Sequence, residues 1–180
     1  MPQDWIEEVL HFWFVEVRPE QWFERDHELD TRILERFTAL HERVTHFRAG
    51  ELDTPHASLA GVIVLDQFPR NIYRDSPQAF LTDSQAVAHA RDAIERKFDR
   101  HLTPQQRMFL YLPYQHAEDL ELQKQSVELF DQLGLDEPAE YAREHKRVID
   151  RFGRFPHRNA VLGRESTAEE VEFLKSHPGF

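Results

Sequence analysis

No cysteine occurs in the 180 residues, which excludes disulfides, thiolate nucleophiles and Cys-ligated zinc together. Glycine is scarce, at 6 residues, and no Gly-rich run is present that would cradle a nucleotide's phosphates. Neither Gly-x-Ser-x-Gly nor His-Glu-x-x-His occurs, so the signatures of a nucleophile elbow and of zincin chemistry are missing. The longest strongly apolar run, Leu59 to Leu65, is too short to cross a bilayer. Positive charge is in deficit: a net charge of -11 argues against nucleic acid as a partner. The first residues, Met1-Pro2-Gln3-Asp4-Trp5, lack the basic head and small-residue cleavage site of a signal peptide, so a cytoplasmic protein without membrane association is expected.

What is present suits a soluble globular chain. Hydrophobic residues make up 40% and charged residues 31%, and no Pro-, Gly- or Ser-rich linker divides the sequence. A single domain spanning 1-180 is expected. The periodicity is helical almost throughout. Asp4 to Glu16 reads as a buried first helix, apolar on most sides. Asp26 to Arg48 is amphipathic, with Leu29, Ile33, Phe37, Leu40, Val44 and Phe47 recurring every three or four residues. Thr54-Pro55 opens a third helix, which is expected to stop where Pro69 biases Phe68 out of the α region. Ser76-Pro77 and then Thr82-Asp83 offer starts for a helix carrying Ala86, Val87, Ala90, Ile94 and Phe98. Thr103-Pro104-Gln105-Gln106 and Thr167-Ala168-Glu169-Glu170 are capping boxes. A break is expected at Pro113, with a new helix from about Gln115 to Leu133-Gly134, and another from Asp136 to Phe152-Gly153. The expectation is an all-α fold of about seven to nine helices with no strand.

Two stretches nearly repeat each other: Phe68-Pro69-Arg70-Asn71 and Phe155-Pro156-His157-Arg158-Asn159. Each follows a helical segment, so each reads as a helix stop that presents Arg and Asn from a loop. Asp66, at the end of an apolar helix, needs a cation, for which Arg70, Arg154 and Arg158 are candidates. An ion pair locking a loop is favoured there over a catalytic acid. On a helix starting near Gln115, His116, Asp119 and Gln123 share a face, which suits either a base oriented by a carboxylate or support of a first helical turn by Glu118 or Asp119. Between Arg143 and Arg164 lie seven basic residues against Glu144 and Asp150, a local excess of +5 that suits a small anion. Arg143, Arg147, Arg151 and Arg154 form one stripe, and His145 on the opposite face reads as a hydrogen-bonded core residue. Glu8-x-x-His11 and Glu24-x-x-His27 match the di-iron element, but the second falls in a helix break, so no metal centre is expected and no cofactor is implied.

Leu65-Asp66-Gln67-Phe68-Pro69-Arg70-Asn71 and Arg151 through Asn159 resemble the signatures of an uncharacterised bacterial family, a domain of unknown function. Phe12-Trp13-Phe14, Phe109-Leu110-Tyr111 with His116 through Leu120, and Leu162 through Thr167 resemble it too. The resemblance implies antiparallel helix pairs in a TPR-like α-α superhelix, although no 34-residue repeat is readable here. It brings no activity and no catalytic residue.

The leading functional expectation is a binding protein for a small anionic or carboxylate-bearing ligand, or an acidic peptide. Its pocket would form where the two cassettes meet beside the His116-Asp119 turn, which includes Glu118. Arg70, Arg154 and Arg158 would grip the anion, Asn71 and Asn159 would orient it, Asp66 would hold an Arg, and His157 would also line the pocket. The rival is a hydrolase in which His116 or His157 acts as base or metal ligand, with Asp119 or Glu118 orienting it. A third reading is a TPR-like protein-protein interaction module.

Overall fold

Every regular element is helical among the described residues, which in this computed structural model are residues 4–179. Residues 1–3, part of the N-terminal stretch read above, and residue 180 lie outside them. No described helix is long and apolar enough to cross a membrane. The chain forms two compact units, Met1–Arg74 with Gln78–Pro113, and Asp75–Pro77 with Tyr114–Phe180.

The first unit is built on aromatic packing. Helix α1 (Asp4–His11) runs into a π-helical turn, Phe12–Glu16. Helix α2 (His27–Val44) is N-capped by Asp26, whose carboxylate accepts the N–H groups of Glu28 and Leu29. Its apolar stripe, Leu29, Ile33, Phe37, Leu40 and Val44, is buried as the spacing predicts. Each such side chain contributes about 1.5–3 kcal/mol of burial. Phe37 meets Phe12 at 4.9 Å and Phe68 at 4.7 Å between ring centroids, and Trp13 meets Phe109 at 5.5 Å. The first helix is less uniformly buried than its composition suggests: Val15 is 68% exposed. The π turn inserts an extra residue into the turn, displacing the side chains after Phe12 from α spacing.

The first cassette is not a helix stop. Helix α3 (Pro55–Val62), capped by Thr54, passes through a second π turn, Ile63–Gln67, straight into helix α4 (Phe68–Ile72). Phe68 is fully α-helical, at φ -59° and ψ -39°, despite the following proline. In the π turn the N–H of Phe68 reaches back to the carbonyl of Ile63. Pro69 has no N–H to offer the carbonyl of Leu65, four residues earlier. That carbonyl instead accepts a 2.6 Å hydrogen bond from Thr82 Oγ1. The carbonyl of Asp66 accepts from Arg70 Nη1. Side chains thus supply the donors that a proline-bearing helix lacks. Thr82, buried just before helix α5 (Asp83–Glu95), makes no N-cap bond because its hydroxyl is used here. Thr82→Val should therefore cost about 1–3 kcal/mol, the penalty of an orphaned buried carbonyl. Urea unfolding checks this, and a variant within about 0.5 kcal/mol of the parent contradicts it.

Helix α6 (Pro104–His116) starts at a capping box: the N–H of Thr103 donates to Gln106 Oε1 at 3.0 Å, and the N–H of Gln106 to Thr103 Oγ1 at 3.3 Å. It continues through Pro113 to His116. The expected break comes later, at Ala117–Asp119. A proline one turn from a helix end forfeits a single intrahelical bond there, so it does not fix the boundary. Two other side chains do. Asp119 N-caps helix α7 (Leu120–Leu133) by accepting the N–H of Leu122 at 2.8 Å. Gln123 Nε2 closes the end of α6 by donating to the carbonyls of Gln115 (2.7 Å) and Ala117 (2.8 Å).

The second unit centres on a helical hairpin. Gly134, at φ +74°, ends α7 in the left-handed conformation that favours glycine, and two residues connect it to helix α8 (Asp136–Phe152). A connection that short makes α7 and α8 antiparallel neighbours, and they pack on each other. Gly153, at φ +69°, ends α8 in the same way. Here the sequence-based stop holds: Phe155 is extended, at φ -90° and ψ 106°, and Pro156–Arg158 form a single 3₁₀ turn. Helix α9 (Ala168–Leu174) follows with the predicted Thr167–Glu170 capping box. Val148, Ile149 and Phe155 form a small core, flanked by Phe152 and Phe173.

Candidate functional site

The two cassettes fall in different units. In the first unit the cassette is bound into ion pairs. Asp66 has no solvent exposure, and its carboxylate lies 3.2 Å from Arg70 Nη1. Arg70 also forks onto Asp83 at 3.0 and 3.1 Å. Asn71 donates to Asp30 at 2.8 Å, where Arg74 Nε also donates at 2.6 Å. Charges this enclosed are retained only when paired and hydrogen-bonded. Arg70 and Asn71 hold α4 against α5 and α2 within that unit rather than projecting from a loop.

In the second unit Glu118 is the hub. It lies in the break between α6 and α7, the segment from which sequence placed a base and its orienting carboxylate. Its carboxylate accepts the N–H of Phe155 at 2.7 Å and both terminal nitrogens of Arg164 at 2.6 and 2.9 Å. Arg164 also donates to the carbonyl of Phe155 (3.1 Å) and to Asn159 Oδ1 (3.0 Å). Asn159 Nδ2 donates to Ser166 Oγ at 3.1 Å and to Glu170 at 3.3 Å. Glu170 takes the fork of Arg154 at 2.7 and 2.8 Å and the N–H of Thr167 at 2.8 Å. Burial pushes the Glu118 carboxyl up, but the Arg164 hydrogen bonds, the Phe155 N–H and the charges of Arg164 and Arg158 bring it below its ordinary value. The Glu170 carboxyl is brought down to about 2, chiefly by the hydrogen bond from Arg154.

Above this clamp the Phe155 ring gathers nitrogen-bearing side chains. The Arg158 guanidinium lies 4.7 Å from its centroid, and the rings of His145 and His157 lie 5.6 and 5.7 Å away. His116, the last residue of α6, is 6.4 Å from His145. Arg158 is 7% exposed and His145 is 5% exposed, while His116 and His157 are half-buried. Burial first, then the neighbouring His116, push His145 down to about 3. Burial first, then Arg158, bring His157 down to about 4. Both imidazoles are therefore neutral at pH 7. His145 Nδ1 faces the carbonyl of Tyr141 at 2.8 Å and must donate to it, which leaves Nε2 as the nitrogen with the lone pair.

A family model described as "Bacterial protein of unknown function (DUF924)" matches residues 9–178. The chain belongs to this family. A solved structure of a protein of unknown function, ATU0120 from Agrobacterium tumefaciens, is similar to it at 35% identity and a TM-score of 0.92, covering 98% of this chain and 100% of that one. None of the curated proteins compared with it matches the chain. Membership in DUF924 carries no activity, so the roles of this member's residues rest on their own geometry.

Within this DUF924 member, the structure brings His116, Glu118, Arg154, His157, Arg158 and Asn159 together around the second cassette, while Asp66, Arg70 and Asn71 belong to the first unit's ion pairs. Asp119 does not share a helix face with His116 and Gln123: it is exposed and caps α7. The basic segment is largely neutralised in space. Arg143 meets Asp131 at 3.2 Å, Arg147 meets Glu140 at 2.8 Å and Arg151 meets Glu169 at 2.7 Å. Among the described residues no cluster of three His, Cys, Asp or Glu side chains is arranged to hold a metal ion. Sequence reasoning missed Arg164 and the double duty of Glu170. Glu170 was visible only as a capping-box residue, and a lone Arg in a loop gives no signal of the carboxylate it will meet 46 positions earlier.

Proposed function

We propose that the protein is a binding protein whose site lies in the second unit and takes a small anionic group, a carboxylate or phosphate. The gathering of Arg158, His157 and His145 around the single Phe155 ring, with His116 beside them, carries this reading. A desolvated guanidinium offers a forked donor that matches a carboxylate or phosphate. The neutral His157 imidazole can add an N–H donor without adding charge, whereas the one N–H of His145 is given to the Tyr141 carbonyl and that ring only packs against Phe155. The Arg158 guanidinium supplies the positive charge on this side of the Phe155 ring. The clamp beneath keeps the backbone of Phe155 fixed, so the donors are held in place before a ligand arrives.

An anion close to His157 would favour its protonated form, so binding takes up a proton and tightens as pH falls from 7.5 toward the free imidazole's value of about 4. Calorimetric titration with inorganic phosphate and with acetate tests this. Arg158→Ala should weaken binding about ten- to a hundredfold, the equivalent of one charge-assisted hydrogen-bond pair. Arg158→Lys, which keeps the charge and loses the fork, should fall between. Equal affinity in all three proteins overturns the proposal.

The same reading has the protein working in the cytoplasm, as one domain, with TPR-like helix pairing. The α7–α8 hairpin and the cysteine-free composition support it.

A further inference from the structure

Buried polar atoms without a hydrogen-bond partner are rare in folded proteins, because each costs the full desolvation of that atom. Three of them belong to the second unit, one on Gln115 in the last turn of α6 and two on Gln123 and Ser126 in the first half of α7. Gln123 and Ser126 have no solvent exposure, and Gln115 is 6% exposed. Gln123 Oε1, Ser126 Oγ and Gln115 Oε1 are buried and have no hydrogen-bond partner among the described residues.

The orientation of Gln123 is fixed by chemistry. Its other amide atom lies 2.7 and 2.8 Å from two carbonyl oxygens, so that atom must be the NH₂ donor. The orphan is then an oxygen, and it can be satisfied only by a donor. Ser126 lies one turn further along the same face of α7, so its hydroxyl and Gln123 Oε1 stand on one side of the helix. Neither the amide nor the hydroxyl finds a donor on its own helix. Two fully buried orphans one turn apart, with a third at the adjoining helix end, describe a polar site rather than a single packing fault.

We infer that Gln123 and Ser126 form an internal binding site in the second unit for a small neutral hydrogen-bond donor, an O–H or N–H group. Two sources share that chemistry: a water molecule, and the hydroxyl or amide of a small ligand. A water satisfies the requirement of two to four polar partners, using Gln123 Oε1 as acceptor and Ser126 Oγ as either. The inference stands apart from the anion site, since it rests on none of Arg158, His157 or His145.

Ser126→Ala separates an occupied site from an empty one. Alanine suits a helix interior at least as well as serine, so the variant is expected to fold. If nothing occupies the site, deleting an orphaned buried hydroxyl removes a penalty, and Tm rises. If a donor is bound, the deletion removes one of its partners, and Tm falls by a few degrees. The companion measurement is a high-resolution crystal structure of the parent, grown without organic additives. Density within hydrogen-bond distance of both Gln123 Oε1 and Ser126 Oγ, together with a lower Tm for Ser126→Ala, supports the site and assigns it to water. No density without additives, a lower Tm, and density in crystals grown with acetamide support the site and assign it to an amide-bearing ligand. An empty site under both conditions, or a Tm that is unchanged or raised, overturns the inference.

Discussion

Glu118→Ala should destabilise the protein by about 3 kcal/mol. The magnitude follows from what the carboxylate holds: a fork from Arg164 and the backbone N–H of Phe155. Hydrogen bonds to charged groups are worth about 1.5–3 kcal/mol each, and removing one partner of an enclosed ion pair costs about 3–5 kcal/mol. The Glu118 and Arg164 side chains each retain 24% exposure, which places the expectation at the lower end. For a chain of this size the loss corresponds to a fall in Tm of about 6–12 °C. Glu118→Gln, which can still accept the Phe155 N–H, should cost about half as much. Hydrogen exchange gives a local check, since the Phe155 amide loses its acceptor in the alanine variant. A Tm within about 2 °C of the parent, with the Phe155 amide still protected, would mean that the clamp does not hold this corner together.

Acid should weaken the protein well before its carboxylates titrate. His145 sits at about 3 when folded, against 6.5 as its ordinary value, because burial disfavours the imidazolium. A depressed value means that the unfolded chain binds the proton first. The stability tied to His145 is therefore fully present above pH 6.5 and is lost progressively as pH falls toward 3. At pH 5 the loss from His145 alone is about 2 kcal/mol, at 1.36 kcal/mol per pH unit. His157 acts in the same direction over the window from 6.5 to about 4. Glu170, at about 2 against 4.5, adds its own loss only below pH 4.5. Urea unfolding at pH 7.5 and pH 5 reads the drop. His145→Gln keeps a donor toward the Tyr141 carbonyl and removes the titration, so its drop should be smaller by about 2 kcal/mol. An identical pH dependence in parent and variant would show that His145 is not held neutral by the fold.

Helix content and the apolar face of α2 were legible in the sequence because they depend on local periodicity, which survives any tertiary arrangement. The capping boxes at Thr103 and Thr167 and the stops at Gly134 and Gly153 were legible for the same reason: each is decided within a few residues. The behaviour of the two Phe-Pro pairs was not. Pro156 follows a helix that Gly153 has already ended, whereas Pro69 is carried inside a helix by a π turn and by the hydroxyl of Thr82, 17 positions away from Leu65. No local pattern announces a donor at that distance. Pro113 misled likewise, since the true boundary is drawn by Asp119 and Gln123. In the second unit the candidates His116, Glu118, His157, Arg158 and Asn159 were visible as unusual residue types at helix ends. Their grouping around Phe155, and the role of Arg164 in closing the clamp, depend on contacts separated by up to 46 positions.

Proton NMR of the imidazoles, followed during a titration with inorganic phosphate, bears most directly on the claim that the second unit binds an anion. In the free protein the His157 ring should titrate at about 4, far below an ordinary histidine. Phosphate should raise that value, shift the His157 resonances saturably at pH 6, and have little effect in Arg158→Ala. A His157 ring that titrates near 6.5 and whose resonances do not move with phosphate in either protein would contradict the account.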